Sequence, residues 1–171
     1  NFVDQVRFVP RRTDRSDHDG TGEKVIMHIS NFRPVKRVTD AVRVFKRVSE
    51  RLNARLVMVG DGPERLSAAG VARQLGIEDR IEFTGIRQDL ETLIPRADLM
   101  LQPSEHESFG LVPLEAMACE VPVLATASGG ICEVVEDGVT GYLCEVGDIE
   151  TMAARTGGGH GDGHSAPSPS H

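Results

Sequence analysis

The chain has few aromatic side chains and no tryptophan: Phe, Trp and Tyr make up 4% of its 171 residues. Its core is therefore predicted to be aliphatic. No apolar run approaches the roughly 20 residues that cross a bilayer, so no membrane span is expected. The first residues lack a basic stretch followed by an apolar one, which argues against a secretory signal.

Basic residues are also in the minority, and the formal net charge is -7. No basic stripe with interleaved aromatics is present, so nucleic acid is not expected as a partner. A phosphate ligand stays compatible, because a phosphate pocket needs only a few local donors. Cysteine is scarce and odd in number, with Cys119, Cys132 and Cys144 at spacings that match no metal signature. They are interpreted as reduced, structural thiols of a cytoplasmic protein.

Composition and chain length favour one ordinary globular domain, with 39% hydrophobic and 26% charged residues. We predict a leading segment at 1–24, a folded domain at 25–155 and a disordered tail at 156–171. The tail is rich in Gly, Ser and His and has too few apolar groups to fold alone. His160 and His164 could bind a metal loosely there, but a solvated tail is the favoured interpretation.

Short apolar runs alternate with segments of helical periodicity along the domain. Because each predicted strand is apolar throughout, the strands are expected to form a parallel sheet covered on both faces. This is a Rossmann-like, doubly wound α/β fold, in which ligands lie beyond the carboxyl ends of the strands. The predicted strands are 25–29, 56–59, 81–83, 99–101, 121–125 (interrupted at its start by Pro122) and an edge strand at 142–144. The predicted helices are 38–48, 64–75, 90–96, 110–119 and 131–136.

The first strand leads into a polar, basic segment, residues 30–37. Pro34 suits the first turn of a helix, which would place Lys36 and Arg37 close to a helix N-terminus. Cations there oppose the helix dipole, and a bound diphosphate would offset that cost. The alternative is a solvated basic turn without a ligand.

The fourth strand leads into a polar loop and then a helix. Backbone N–H groups at 109–111 are predicted to form an anion site at that helix start, where Gly110 permits close approach. Glu107 precedes the helix and Glu115 lies more than one turn inside it. A carboxylate at 115 could accept hydrogen bonds from two vicinal hydroxyls of a ribose; alternatively it is an exposed helix residue. Glycine-containing turns at 60–63 and 127–130 are explained by turn chemistry alone, but they are expected at the same edge.

The segment from Glu107 to Glu115 resembles the Glu-x7-Glu motif of family 4 retaining glycosyltransferases. These enzymes have two Rossmann-like domains (the GT-B type) and use nucleotide-sugar donors. The resemblance covers roughly 1–155, with Cys132 standing where the family commonly has proline. Further matching segments are 59–63, 83–85, 103–105, 115–118 and 129–131 with Glu133.

The resemblance implies a role for each matching residue. Lys36 would bind the donor diphosphate, with Asn31 or Arg33 beside it. Glu107 would act as the catalytic residue by contacting the donor sugar, and Glu115 would hold the ribose. The backbone of Ser108, Phe109, Gly110 and Leu111 would contact the sugar and phosphates. Gly85 and Ile86 would lie near the uracil.

Chemistry and substrates are also implied by the resemblance. A UDP-sugar would be the substrate, and neither a metal nor another cofactor would be required. Asp17-His18-Asp19 superficially matches an Asp-x-Asp metal motif, but it precedes the first strand in a polar loop. Residues 28–37 are most similar to a subfamily that transfers N-acetylglucosamine to L-malate in bacillithiol biosynthesis.

Members of the family form the acceptor site mainly with an N-terminal Rossmann domain. Residues 1–4 resemble the segment that leads into the second domain, and the helices that return to the first domain are missing after Arg155. The chain is therefore expected to be a donor-binding fragment, inactive alone, with an exposed half-cleft that favours self-association.

Three other functions fit parts of the sequence. A nucleotide-sugar epimerase of the same architecture would need no acceptor. A non-enzymatic Rossmann module would bind a nucleotide or a protein, and activity would then survive substitution of Glu107. A response-regulator-like domain would carry a phosphoacceptor Asp after the first strand, where this chain has Ser30-Asn31.

Overall fold

The computed structural model describes residues 22–107 and 111–156. Within them lies one sheet of six parallel strands in the order β3-β2-β1-β4-β5-β6, with helices between the strands. The predicted Rossmann-like α/β fold is confirmed. Because the chain returns to the middle of the sheet after β3, β1 and β4 are neighbours whose connections lead away in opposite directions. This is the switch point at which such sheets bind ligands.

The strands are short. They are β1 Lys24–Ile29, β2 Ala54–Val59, β3 Ile81–Gly85, β4 Leu99–Gln102, β5 Val123–Thr126 and β6 Gly141–Cys144. Strands β1, β2, β4 and β5 are mostly buried, whereas the edge strands β3 and β6 are partly exposed. The helices are α1 Val38–Ser49, α2 Arg65–Gln74, α3 Leu90–Leu93, α4 Leu111–Ala118, α5 Ile131–Val134 and α6 Ile149–Thr156.

Two aliphatic core layers cover the faces of the sheet. One layer joins alternate strand residues to α1, α2 and α6, with Phe32 and Phe45 as its largest side chains. The other joins the opposite strand residues to α3, α4 and α5. Burial on both faces explains why the strands are apolar throughout rather than alternating.

Proline accounts for two differences from the predicted elements. The expected strand 121–125 begins only at Val123, because Pro122 has no N–H to donate to the ladder. The expected helix 90–96 is divided into α3 and a 3-10 turn, Ile94–Arg96, which contains Pro95. Helix α6 was not predicted as an element, and it packs Met152 and Ala153 into the core.

The predicted segment boundaries lie partly beyond the described residues. Most of the leading segment 1–24 and nearly all of the tail 156–171 fall outside them, including the histidines at 160 and 164. Of the three cysteines, Cys119 and Cys144 are buried and Cys132 is exposed, so a core role holds for two of them. No helix among the described residues is long and apolar enough to cross a membrane.

Candidate functional site

The site begins where β1 and β4 part. Their backbone ladder pairs Ile26 with Leu99 and Met27 with Met100 and then ends; beyond it, side chains form the hydrogen bonds between the two strands. His28 Nδ1 lies 2.9 Å from the Leu101 carbonyl, and Gln102 Nε2 donates to the Ile29 carbonyl at 3.1 Å. These side chains satisfy backbone groups that the ladder no longer pairs, so a crevice opens beyond them.

His28 is fully buried and holds the loop that follows β1. Because a carbonyl can only accept, Nδ1 carries the proton and Nε2 accepts from the Ser30 hydroxyl at 2.8 Å. Ser30 Oγ in turn accepts from the Phe32 N–H at 3.2 Å. Burial lowers the pKa of His28 to about 4, although the Leu101 carbonyl opposes the shift. The ring is thus neutral near pH 7.

Sequence reasoning assigned His28 no function. The available signal was a single polar residue within the apolar run of β1, and apolar periodicity alone treats such a residue as an exception. The structure shows that it organises the turn carrying Asn31 and Arg33, two residues predicted to bind the donor.

That turn is pressed closely against the loop after β2. Phe32 is buried with a left-handed φ of 48°, and its carbonyl accepts from the Glu64 N–H at 2.9 Å. A Cβ at Gly60 would lie 1.8 Å from the Ser30 carbonyl oxygen, and one at Gly62 would lie 2.0 Å from that of Asn31. Glycine is therefore required sterically at both positions. Asn31 and Arg33 remain exposed on either side of Phe32.

The two residues with the strongest functional predictions meet across the crevice. Lys36 Nζ donates to both carboxylate oxygens of Glu107, at 3.2 and 3.0 Å. Their side chains are 20% and 18% exposed, so the pair is reachable from solvent but largely shielded. A partly desolvated cation at the switch point is suited to an anionic ligand.

The loop that carries Glu107 is anchored by the turn after β5. The Gly130 N–H donates to the Glu107 carbonyl at 2.7 Å, and a Cβ at Gly129 would lie 2.5 Å from that same oxygen. Thr126 and Ser128 donate their hydroxyls to the Ser104 carbonyl. The sequence analysis noted the glycine pair as a turn and as part of a segment matching the family; in the structure it contacts the Glu107 carbonyl and so fixes the position of Glu107.

A cavity of about 300 Å³ lies beside the β1 turn. Apolar side chains of Ile29, Val59, Ile86 and Leu90 line it together with Ser30, Asn31, Gly60, Asp61 and Arg87. Gly85 precedes it in a left-handed conformation, φ 75°. The structure thus brings Asn31 and Ile86, predicted separately, to one pocket.

The other predicted residues lie on or before α4. Leu111 begins this helix and is 45% exposed, and Glu115 is half-buried in its second turn. Ser108, Phe109 and Gly110 lie outside the described residues. Among the residues that are described, no group of three or more His, Cys, Asp or Glu could hold a metal ion. Asp17-His18-Asp19 is outside that range.

The Lys36–Glu107 pair and the glycine-containing turns thus lie together at the switch point of the six-stranded sheet, where folds of this class bind ligands. The chain belongs to the glycosyl transferases group 1 family, whose model matches residues 10–156. It is 48% identical over 156 residues to N-acetyl-alpha-D-glucosaminyl L-malate synthase of Bacillus anthracis, covering 90% of this chain and 41% of that protein.

A second relative is the D-inositol 3-phosphate glycosyltransferase of Mycolicibacterium smegmatis. It is 36% identical over 144 residues, which are 78% of this chain and 32% of the relative. The chain therefore spans about two fifths or less of the length of these relatives.

Solved structures share the fold. Anabaena Alr3699/HepE in complex with UDP and glucose matches with a TM-score of 0.77 at 29% identity, over 90% of this chain and 44% of that one. The same protein in complex with UDP-glucose gives a TM-score of 0.78 at 28% identity, over the same shares.

Proposed function

We propose that the chain is the donor-binding half of a retaining glycosyltransferase that transfers N-acetylglucosamine from UDP-N-acetylglucosamine to L-malate. The observation that carries the proposal is the Lys36–Glu107 pair at the β1–β4 switch point, 3.0 Å apart at its closest. Support for the sugar and the acceptor comes from the 48% identical relative, which bears that activity in its name.

Lys36 is proposed to bind the donor diphosphate. A phosphate oxygen would compete with the Glu107 carboxylate for the same ammonium group, and a doubly charged diphosphate is the stronger partner. During transfer the leaving diphosphate gains charge, and a fixed cation stabilises that charge without rearrangement. Asn31 and Arg33 are proposed to assist from the adjoining turn, where both are exposed.

The uracil is proposed to occupy the cavity beside Gly85 and Ile86. Its volume of about 300 Å³ and its apolar walls suit a flat aromatic ring, while Asn31 and Asp61 supply polar groups at its edge. Support for a uracil nucleotide comes from the similar Anabaena protein, which is described in complex with UDP.

Helix α4 is proposed to hold the rest of the donor. Glu115 would accept hydrogen bonds from the ribose hydroxyls, and the backbone of Ser108, Phe109, Gly110 and Leu111 would contact the sugar and phosphates. Glu107, directly before this segment, would contact the donor sugar. The acceptor would be bound mainly by an N-terminal Rossmann domain, because the chain covers only 41% of its L-malate synthase relative.

Removing Lys36 is expected to abolish most donor affinity. In calorimetric titrations of the 171-residue chain with UDP and UDP-N-acetylglucosamine, Lys36→Ala should weaken both ligands by roughly 10- to 100-fold, since charged hydrogen bonds contribute about 1.5–3 kcal/mol. Glu115→Ala should also weaken both, because each contains the ribose. Retention would be checked separately, from the anomeric configuration of the product made by a protein with both domains.

Two variants serve as controls. Lys46→Ala removes a lysine from the exposed side of α1, where it pairs with Glu50 at 3.7 Å, and Glu136→Ala removes an exposed carboxylate after α5. Both should bind like the parent. Equal affinity of the parent and Lys36→Ala would refute the diphosphate role, and a preference for GDP or ADP would refute the uridine assignment.

Substituting Glu107 is expected to change the affinity for the nucleotide sugar differently from the affinity for the nucleotide alone. Glu107→Gln removes the carboxylate that competes for Lys36, so UDP affinity should stay equal or rise a few-fold. The contact to the sugar is weakened, so UDP-N-acetylglucosamine should lose roughly tenfold relative to UDP. Parallel loss of both ligands would assign Glu107 to the nucleotide instead.

A further inference from the structure

Arg37 adopts a backbone conformation that arginine normally avoids. It lies between a 3-10 turn, Pro34–Lys36, and helix α1, with φ 50° and ψ 49°. In this left-handed region a Cβ crowds the backbone, so glycine is the usual occupant. Such strain in a non-glycine residue persists where other contacts hold it.

The guanidinium of Arg37 provides those contacts. Its Nε donates to Asp40 Oδ2 at 2.6 Å, and its Nη1 donates to Glu105 Oε1 at 2.7 Å. Asp40 is buried in the first turn of α1, where a carboxylate also favours the helix dipole. The hydrogen bonds to Asp40 and Glu105 raise the pKa of Arg37 further, so it stays charged.

Arg37 thereby joins the two segments that form the crevice. The loop after β4 lies beside the segment after β1, and the Glu105 N–H donates to the Val35 carbonyl at 2.8 Å. Two residues further along that loop, Glu107 receives the Lys36 ammonium. Arg37–Glu105 and Lys36–Glu107 are therefore neighbouring links between the same two segments, which are about 70 residues apart in the chain.

We propose that Arg37 is a positioning residue: by tying the start of α1 to Glu105, it sets Lys36 opposite Glu107. The inference rests on the proposed function for its catalytic meaning, although the geometric claim stands on the contacts alone. Arg37 itself contacts no donor group in this assignment. Its two carboxylate partners, Asp40 and Glu105, hold the guanidinium and the segment in place.

A double-mutant cycle tests the geometric claim without any ligand. The coupling between Lys36 and Glu107 is measured by urea unfolding of the 171-residue chain, with Lys36→Met, Glu107→Gln and the double variant. In the parent background the coupling should change the unfolding constant on the order of fivefold. In the Arg37→Gly background, where the backbone strain is relieved and the chain stays folded, it should fall below about twofold.

Arg43→Ala is the matched control, because Arg43 also pairs with Asp40, at 3.2 Å, but forms no ion pair with Glu105 among the described residues. Its cycle should retain the parent coupling, and Glu105→Gln should lose it as Arg37→Gly does. Full coupling in the Arg37→Gly background would overturn the proposal. An equal loss of coupling in the Arg43→Ala background would also overturn it, since the effect would then come from disturbing Asp40 at the start of α1.

A calorimetric titration with UDP links this position to the proposed donor site. Arg37→Gly should weaken UDP binding roughly tenfold. Arg37→Lys should lose less affinity, because lysine keeps the positive charge but cannot bond both carboxylates as the guanidinium does. UDP binding unchanged by Arg37→Gly would overturn the positioning role. If the parent chain binds no UDP, the proposed donor function is what fails, and the unfolding cycle still decides whether Arg37 positions Lys36.

Discussion

Gly60→Ala is expected to destabilise the fold by roughly 3 kcal/mol or more, enough to unfold a marginal domain. Gly60 has a φ of 130°, and an added Cβ would lie 1.8 Å from the Ser30 carbonyl oxygen, a backbone atom. Relief by movement is restricted, because the Gly60 N–H is bonded to the Gly85 carbonyl at 2.9 Å. The midpoint of urea unfolding would measure the change.

Gly70→Ala is a suitable comparison within the same chain. Gly70 lies inside α2, has no left-handed φ, and an added Cβ would meet nothing within 4 Å. Alanine there should stabilise by roughly 0.5–1 kcal/mol through helix propensity and reduced freedom of the unfolded chain. If both variants unfolded at the parent midpoint, the close approach of the β1 and β2 loops would be refuted.

Acidification is expected to remove about 2 kcal/mol of stability between roughly pH 7.5 and pH 5, through His28 alone. The folded pKa of about 4 is below the ordinary value of 6.5. At intermediate pH the unfolded chain therefore binds more protons than the folded one. The contribution is nearly complete at about pH 7.5, falls as the pH passes through 6.5 and is lost as the pH nears 4. Protonation would also place two donors on a ring whose Nε2 must accept from Ser30.

Urea unfolding at several pH values, with His28→Asn alongside, would isolate this effect. The asparagine amide can keep the donor to the Leu101 carbonyl but does not titrate, so the slope between about pH 7 and 5 should flatten. The charge of Lys36 lowers the pKa of His28 and that of Glu107 raises it, and both effects are smaller than that of burial. Substituting both residues together should therefore alter the slope less than His28→Asn does. A parent stability independent of pH in this range would contradict the assignment.

Much of the fold could be predicted because its central strands, β1, β2, β4 and β5, are buried on both faces. Apolar runs such as Val25–Ile29 and Leu56–Val59 are then sufficient to locate them. Helix α6 lacked a comparable run; its contribution to the core depends on Met152 and Ala153 meeting α1, which is a tertiary contact. The shortened β5 follows from the missing N–H of Pro122 and was open to prediction.

The candidate site residues could be named individually from the sequence, but their arrangement could not. Lys36 and Glu107 were identified through the family resemblance, yet their direct pairing depends on β4 lying beside β1, and strand order is not encoded in any local pattern. The same limit hid the functions of His28 and Arg37. Their partners, at 101 and 105, lie about 70 residues away.

The seam between β1 and β4, where these two strands pair, also affects how stably the two halves of the sheet are held together. Only two residue pairs form its backbone ladder, whereas β1 and β2 share six. A ligand that engages Lys36 on one side and the α4 segment on the other would bridge this seam. By linkage, its binding energy would then add to the stability of the folded chain. A bound nucleotide sugar would thus hold the two halves of the sheet together across the β1–β4 pairing. Release of the product would remove this added stability.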